Sequence, residues 1–508
     1  MNLLNFTGAI VIPLVSSPLV YLAGRLGKRD TRLEGRSYLV RLLAFLAAIA
    51  AWIPFLVSIE MIRSVEAQEF SVNAISLRAD GISLLMAGSV LLLGTLVILF
   101  SGSYMAGEVG EEKYYAMLLA MMGVMVGLVS AGDLFNLWVW FEAMAISSYL
   151  LVAFYREQSG SLEAGIKYLV QSAAGSVLVL IGIAIVLAQT GTLDMTEITG
   201  AVTRSGVSHP AILGAGALFV IGFGVKVALV PIHTWLPDAH SQAPSGISAM
   251  LSGVVIEIGL IAMLRALAVL TGFSPSWGIL MMGFGVLNML YGNLLALRQS
   301  LVKRLLAYSS LSHIGYILLG LGIALTSGIE LGAQGAFFHV LTHMLMKGLA
   351  FLAVGALMYG MFLRNGSHRA LMIDDLAGAA QKYPLTALAL SIAVLALGGM
   401  PPLAGFMSKW QIFVAGFETQ NNVIIAMMVF MALNSVLSLG YYAPLVNRMY
   451  RKEASPRVLA GKPLTWTIVL PLCVMALLVI ALGLLPGLAS WFTVPAAERF
   501  MQMFGSGL

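Results

Sequence analysis

Apolar runs of about 20 residues recur along the whole chain, separated by short polar stretches, and each is long enough to cross the hydrocarbon core of a bilayer. Fourteen spans fit the pattern, at approximately 7–24, 38–59, 81–101, 114–131, 133–154, 164–189, 211–236, 245–271, 276–296, 302–325, 333–360, 383–416, 422–447 and 464–489. An even number puts both termini on one side. No linker, charge block or low-complexity segment marks off a soluble domain. The expected fold is all-α and integral to the membrane, with residues 1–508 forming one polytopic domain.

Two spans are interrupted. The seventh, GFGVKVALVPIHTWLPDAH, carries Lys226 among apolar neighbours and then Pro231. The twelfth, LALGGMPPLAGFMSKWQIF, places Pro401 and Pro402 ahead of Lys409. Proline removes a backbone donor and clashes with the preceding turn. A broken helix at membrane depth is tolerated only where it is buried in protein or lines a wet cavity. Two proline-broken, lysine-bearing spans, five apart, predict an internal repeat, with spans four to eight matching nine to thirteen. Five is odd, so the two repeats are expected to be inverted, as in many transporters. The predicted organisation is 1–110 for helices 1–3, 111–271 and 272–447 for the repeats, and 448–508 for helix 14 and a short tail.

Composition supports this reading. Hydrophobic residues make up 59% of the chain and charged residues 10%, against about 25% charged in a soluble domain. The net charge of +5 is no nucleic-acid signature, because the cations collect at span ends. One group of loops holds Arg25, Lys28, Arg29, Arg32 and Arg36; Arg298, Lys303 and Arg304; Arg364, Arg369 and Lys382; and Arg448, Arg451, Lys452, Arg457 and Lys462. With fourteen spans all four loops lie on one side. The other side has only scattered cations such as Arg63, Arg78 and Arg204. Cytoplasmic loops are enriched in Lys and Arg, so these loops are expected in the cytoplasm of a prokaryotic cell, at its inner (plasma) membrane, with both termini outside. The N-terminus lacks a basic region and a cleavage site and reads as a retained span. The single cysteine, Cys473, excludes a disulfide framework and cysteine-based metal sites. The 29 methionines read as adaptable core filler and the 53 glycines as close helix contacts.

Ionisable residues inside spans are costly, about 2.5–3.5 kcal/mol each at a helix centre on insertion scales, and mark functional sites by default. This chain keeps Glu142, Lys167, Lys226, Glu257, Arg265, His313, His339, His343, Lys347 and Lys409. Burial disfavours a charged lysine and a nearby carboxylate favours it, so a lysine held between the two switches protonation state when its partner moves. Histidine titrates near neutrality. A file of Glu, Lys and His therefore suits proton transfer. His339, His343 and Lys347 are spaced i, i+4, i+8 and share one helical face. A proton relay, a hydrogen-bonded structural pair and a metal site remain open for them at this point. In HTWLPDAH, residues His233, Asp238 and His240 read either as loop capping or as a point of proton access.

These segments resemble the antiporter-like subunit family shared by Mrp-type sodium/proton antiporters, membrane-bound hydrogenases and respiratory complex I. The resemblance rests on GDLFNLWVWFEAMAISSYLLV at 132–152, GVKVALVPIHTWLPDAHSQAPSGISAMLSG at 224–253, KRLLAYSSLSHIGYILLG at 303–320, HVLTHMLMKGLAFL at 339–352 and GGMPPLAGFMSKW at 398–410. It implies fourteen helices, inverted five-helix repeats with breaks in helices 7 and 12, and a polar axis along the membrane plane. By motif, Glu142 is similar to the family's span-five glutamate, the partner of a span-seven lysine matched by Lys226. His339, His343 and Lys347 match its span-eleven relay and Lys409 its span-twelve residue. One position departs. The family's span eight carries a lysine in LSGVxxKxG, where this chain reads LSGVVIEIG with Glu257, expected to pair with Lys226 or with a span-eleven histidine.

Together these features imply a proton-translocating subunit of a larger membrane complex, driven by a redox module or a sodium gradient. Its partners are other membrane subunits, homologous antiporter-like subunits among them, with protons as the transported ion, joined by Na+ in the case of a sodium-driven complex. No cofactor or metal site is expected in this chain. Any flavin, iron–sulfur or nickel–iron centre, and any redox enzymology, belongs to partner subunits. The alternative is a self-sufficient secondary transporter for a cation or small solute.

Overall fold

The computed structural model describes residues 3–26, 33–62, 68–72, 75–204, 210–270 and 276–505. In order come α1 (Leu3–Leu26), α2 (Leu33–Ile62), a hairpin of β1 (Gln68–Val72) and β2 (Ile75–Ala79), α3 (Gly81–Tyr104), α4 (Glu111–Val129), α5 (Leu134–Val152), α6 (Ser159–Thr190), α7 (Met195–Arg204), α8 (Pro210–Val227), α9 (Trp235–Gln242) and α10 (Ser245–Met250). A π turn (Leu251–Val255) leads into α11 (Ile256–Ala268). Then come α12 (Ser276–Ala296), α13 (Val302–Ser327), α14 (Glu330–Met361), α15 (Ala379–Lys382), α16 (Pro384–Gly398), α17 (Ala404–Glu418), α18 (Asn422–Met449), α19 (Pro456–Ala460), α20 (Trp466–Leu484) and α21 (Gly487–Gly505).

The chain is a multi-pass membrane protein. Among the described residues, 13 helical stretches are long and apolar enough to span a bilayer, counting Ser245–Ala268 as one. The remaining expected span is the twelfth, which is split into α16 and α17, each 15 residues long and too short to cross alone. Lys28, Arg29, Arg32 and Arg63 of the predicted loops lie outside the described residues.

Burial sorts the helices into two layers. Ser245–Ala268, α13 and α14 are buried along nearly their whole length. On α18, by contrast, Leu433 is 65% and Val436 66% exposed, as suits a lipid-facing or subunit-facing surface where the solvent is apolar. Small residues set the closest approach. A Cβ added at Gly285 would stand 2.9 Å from the Gly315 carbonyl, and one at Gly278 2.8 Å from that of Gly322. Those contacts hold α13 directly against α12, the close-packing use of glycine.

Both breaks fall where the sequence predicts, with sharper edges. Helix α8 stops at Val227, four residues before Pro231, and Ala228 takes φ 60°. A buried backbone group needs a partner. Asn288 of α12 supplies two: its Oδ1 accepts from Val230 N at 2.9 Å and its Nδ2 donates to Ala228 O at 3.2 Å. At the second break, around Pro401 and Pro402, Lys409 Nζ donates to Leu397 O at 2.8 Å and Ser435 Oγ donates to Gly398 O at 3.0 Å.

The sequence pattern misses three elements. Residues 68–72 and 75–79 pair as antiparallel strands that dock on the α4–α5 connection through Arg78 N to Ser130 O and Gly132 N to Ser76 O. Helix α7 replaces a loop. The short tail is a 19-residue helix, α21, packed on α3 and α14, with Phe500 edge-on to Phe337 at 6.0 Å. Its mixed polarity hides it from a hydropathy scan, because only one face packs on protein.

Candidate functional site

The broken helix α8 delivers Lys226 on its last turn, 1% exposed. Its hydrogen bond goes to Tyr168 of α6, Nζ to Oη at 2.7 Å, and its ammonium lies 4.5 Å from that ring. The direct pair with Glu142 expected from sequence is not made. Glu142 on α5 acts on the lysine's charge from a longer range, and its buried Oε1 has no hydrogen-bond partner among the described residues. Tyr168 is in turn held flat on Trp235, ring centroids 3.9 Å apart and 4° from parallel, and Trp235 Nε1 donates to Val225 O at 2.6 Å. The fragment HTW after the break thus packs against the tyrosine that holds the lysine.

Helix α11 closes over this lysine. A Cβ at Gly259 would come 3.0 Å from Lys226 Cγ, so a side chain there would press on the lysine stem. Two residues earlier stands Glu257, the second residue after the π turn. A π turn adds a residue to the helical repeat and re-aims the side chains beyond it. Glu257 points to α14 and meets His343, Nδ1 to Oε1 at 2.7 Å, both fully buried. Of the two partners the sequence allowed, the histidine is the one adopted.

A line of contacts runs on from that pair. The His343 and His313 rings stack at 5.2 Å. His313 Nδ1 and His339 Nε2 share a hydrogen bond at 2.9 Å, one ring supplying the N–H and the other the lone pair. His339 Nδ1 meets Ser408 Oγ at 2.8 Å, so both its nitrogens are engaged. Tyr316 stands edge-on to His313 at 5.5 Å, and Lys409 Nζ lies 4.4 Å above the Tyr316 ring. Lys409 ends the line, hydrogen-bonded to Ser435 Oγ at 2.9 Å. Lys347, one turn beyond His343, branches off toward α13, donating to Leu306 O at 2.8 Å and to Ser309. Glu257, His343, His313, His339 and Lys409 are therefore linked by hydrogen bonds and ring contacts, with Lys226 on the far side of α11.

Other sequence expectations separate from this line. Lys167 is 46% exposed and belongs to a surface clamp with Glu163 at 2.8 Å and Asp238 at 3.0 Å. Its place in α6 is a span end, where a long side chain reaches water. Asp238 also receives Arg304 at 2.8 Å, tying α6, α9 and α13 together. His240 lies flat on Phe351 at 4.7 Å, fully buried, with no hydrogen-bond partner on either nitrogen among the described residues. His233 Nδ1 likewise has none. No hydrogen bond joins these three among the described residues. Arg265 is a structural pair with Asp80 at 2.8 Å.

Tyr168, Asn288, Ser408 and Ser435 escape a search for ionisable residues. Asn288 had a signal, since LNMLYGNLL sets two asparagines in an apolar run. Lys303, counted as a loop cation, is buried and donates to Ala243 O at 2.8 Å.

Broken helices with satisfied backbone, around a buried line of glutamate, histidine and lysine, define a polytopic ion-handling membrane protein of the antiporter-like class. The transmembrane family described as NADH:quinone oxidoreductase/Mrp antiporter matches residues 131–438, and the family described as NADH-ubiquinone oxidoreductase (complex I), chain 5 N-terminus, matches 65–115. The chain belongs to the NADH:quinone oxidoreductase/Mrp antiporter family. It is 31% identical to NADH-quinone oxidoreductase subunit N of Desulforudis audaxviator over 78% of this chain and 80% of that one. It is 35% identical to hydrogenase-4 component B of Escherichia coli, over 68% of this chain and 51% of that longer one. Among solved structures, a chain of the archaeal membrane-bound sulfane sulfur reductase superposes with TM-score 0.83 at 28% identity, over 98% of this chain and 99% of that one.

Proposed function

We propose that this chain translocates protons as an antiporter-like subunit of a multisubunit membrane complex, with other membrane subunits, homologous antiporter-like ones included, as its partners. The observation that carries the proposal is the unbroken line of buried contacts from Glu257 through His343, His313 and His339 to Tyr316 and Lys409. Titratable groups buried at this density are too costly to be filler.

In this mechanism Lys226 is the loading site. It gives its proton, through water, to the Glu257–His343 pair and takes up another from the access region around His233 and His240, an uptake that the negative charge of Glu142 favours. The proton then passes along the histidines, and Lys409 governs release. Lys347 tunes the line by its charge. His233 and His240, buried with unused nitrogens below the break, serve proton access, and Asp238 holds the α9 end of that access region in place. Moving one charge through 100 mV costs about 2.3 kcal/mol, so an attached redox module or a sodium gradient must drive the line. Spans four to eight and nine to thirteen act as inverted repeats within one domain. The complex sits in the inner (plasma) membrane of a prokaryote, with both termini of this chain outside.

The decisive experiment is proton movement in proteoliposomes that hold the whole complex. Lys226→Ala is expected to abolish coupled proton movement while the complex still assembles. Undiminished movement refutes the proposal, and robust transport by this chain purified alone refutes the need for partners.

A further inference from the structure

A second cluster of charge lies well away from the relay, where β2, α7, the end of α11 and α21 meet. Arg78, Arg265 and Arg499 line one cavity of about 190 Å³, together with Thr196, Thr199 and Gln502. By chain connectivity it lies on the face opposite the arginine-rich loops, since α12 separates it from Arg298. That face is otherwise poor in cations, so three guanidiniums converging there is unexpected.

Charge of one sign dominates the lining. Asp80, beneath the cavity, takes Arg265 on one oxygen at 2.8 Å and Arg499 on the other at 3.3 Å. The described residues that line the cavity include no acidic side chain. Arg265 is 2% exposed, and its Nε has no hydrogen-bond partner among the described residues, while its Nη2 is committed to Asp80, Ser83 and Val129 O. A buried charged donor without an acceptor is a costly arrangement that a ligand oxygen would relieve.

The geometry points to a site for a phosphate-class anion at this membrane surface. Guanidinium forks match phosphate oxygens, and the amide of Gln502 adds a donor. The cavity is small beside the roughly 300–1,000 Å³ of typical ligand pockets, so it takes one anionic group rather than a nucleotide. The height is that of a lipid headgroup, at the start of α3 and the end of α11. Ala268, Val269, Met195 and Met503 give an apolar wall suited to the ester side of a phosphodiester. Inorganic phosphate shares the same chemistry. The site is independent of the relay and does not rest on the proposed function.

The test uses the delipidated complex containing this chain, and follows its melting temperature against inorganic phosphate, short-chain phosphatidylglycerol or short-chain phosphatidylcholine. Arg78→Gln and Gln502→Glu are compared with the unaltered chain. Both positions lie away from the Arg265–Asp80 bond, and Gln502 is exposed, so Gln502→Glu adds repulsion without removing a buried contact. Stabilisation by phosphatidylglycerol alone, weakened about tenfold or more in both variants, identifies a lipid phosphate. Stabilisation by inorganic phosphate with the same sensitivity identifies a free anion. If neither ligand stabilises the complex in a way these two substitutions weaken, the inference is overturned.

Discussion

Glu257 and His343 face each other across α11 and α14 at 2.7 Å, neither with any exposed surface. A carboxylate here, in place of the lysine that the sequence resemblance implies, changes the charge of the bridging position and makes it an acceptor for the neighbouring histidine. Glu257→Gln keeps the shape and a hydrogen bond but removes the titratable group. Proton movement in reconstituted complex should fall about a hundredfold, the scale of losing one positioned acid or base. Because the two residues act as a unit, adding His343→Ala should cost little more. A rate equal to the unaltered chain would exclude Glu257 from the path.

Tyr168→Phe isolates one hydroxyl. The ring and its stacking on Trp235 remain, and Lys226 loses the hydrogen bond to Tyr168 Oη. Assembly should be unaffected and proton movement about tenfold slower, the worth of one hydrogen bond to a charged group. If thermal stability falls and the rate per assembled complex does not, the tyrosine is a packing residue only.

Asn288→Leu tests how the seventh span stays broken. The substitution leaves Val230 N–H and Ala228 C=O without their partner in the interior. Unsatisfied buried groups cost about 1–3 kcal/mol each, so the melting temperature of the complex should drop clearly. An unchanged melting curve would mean that other groups satisfy the break.

Asp80→Leu should be the most damaging of these changes. It strands Arg265, and removal of one partner from a buried ion pair costs about 3–5 kcal/mol. Little assembled complex is expected by quantitative immunoblot of membranes. Normal assembly would show that Arg265 finds another acceptor.

Lys167→Ala supplies the contrast. Lys167 pairs with Glu163 and Asp238 in solvent, where ion pairs contribute little. Proton movement should match that of the unaltered chain, whereas Lys226→Ala, in the next span, abolishes it. Equal damage from both would argue that charge near the seventh span matters more than the buried line.

Much of this molecule is legible in its residue order. Spans, breaks and the roster of buried ionisable groups come from hydropathy and proline, which are local properties summed over a window. Partner choice is different. Lys167 and Lys226 look alike in an apolar run, yet one clamps the surface and the other is sealed beneath Gly259. The sequence offered Glu142 as the partner of Lys226, and only the packing of α6 on α8 made Tyr168 its hydrogen-bond partner. The strand pair at 68–72 and 75–79 and α21 stayed hidden because their pairing lies with distant segments, not in their own periodicity.

The sequence alone determined that this is a multi-pass membrane protein with two proline-broken, lysine-bearing spans, because insertion cost depends on each segment's own composition. Only the tertiary structure decided that Glu257 meets His343, that Asn288 satisfies the seventh break, and that Arg78, Arg265 and Arg499 share one cavity. Those outcomes depend on how each helix is rotated about its axis and how closely its neighbours approach. Rotation is set by packing and by a single π turn, and neither is written in any one stretch of the chain.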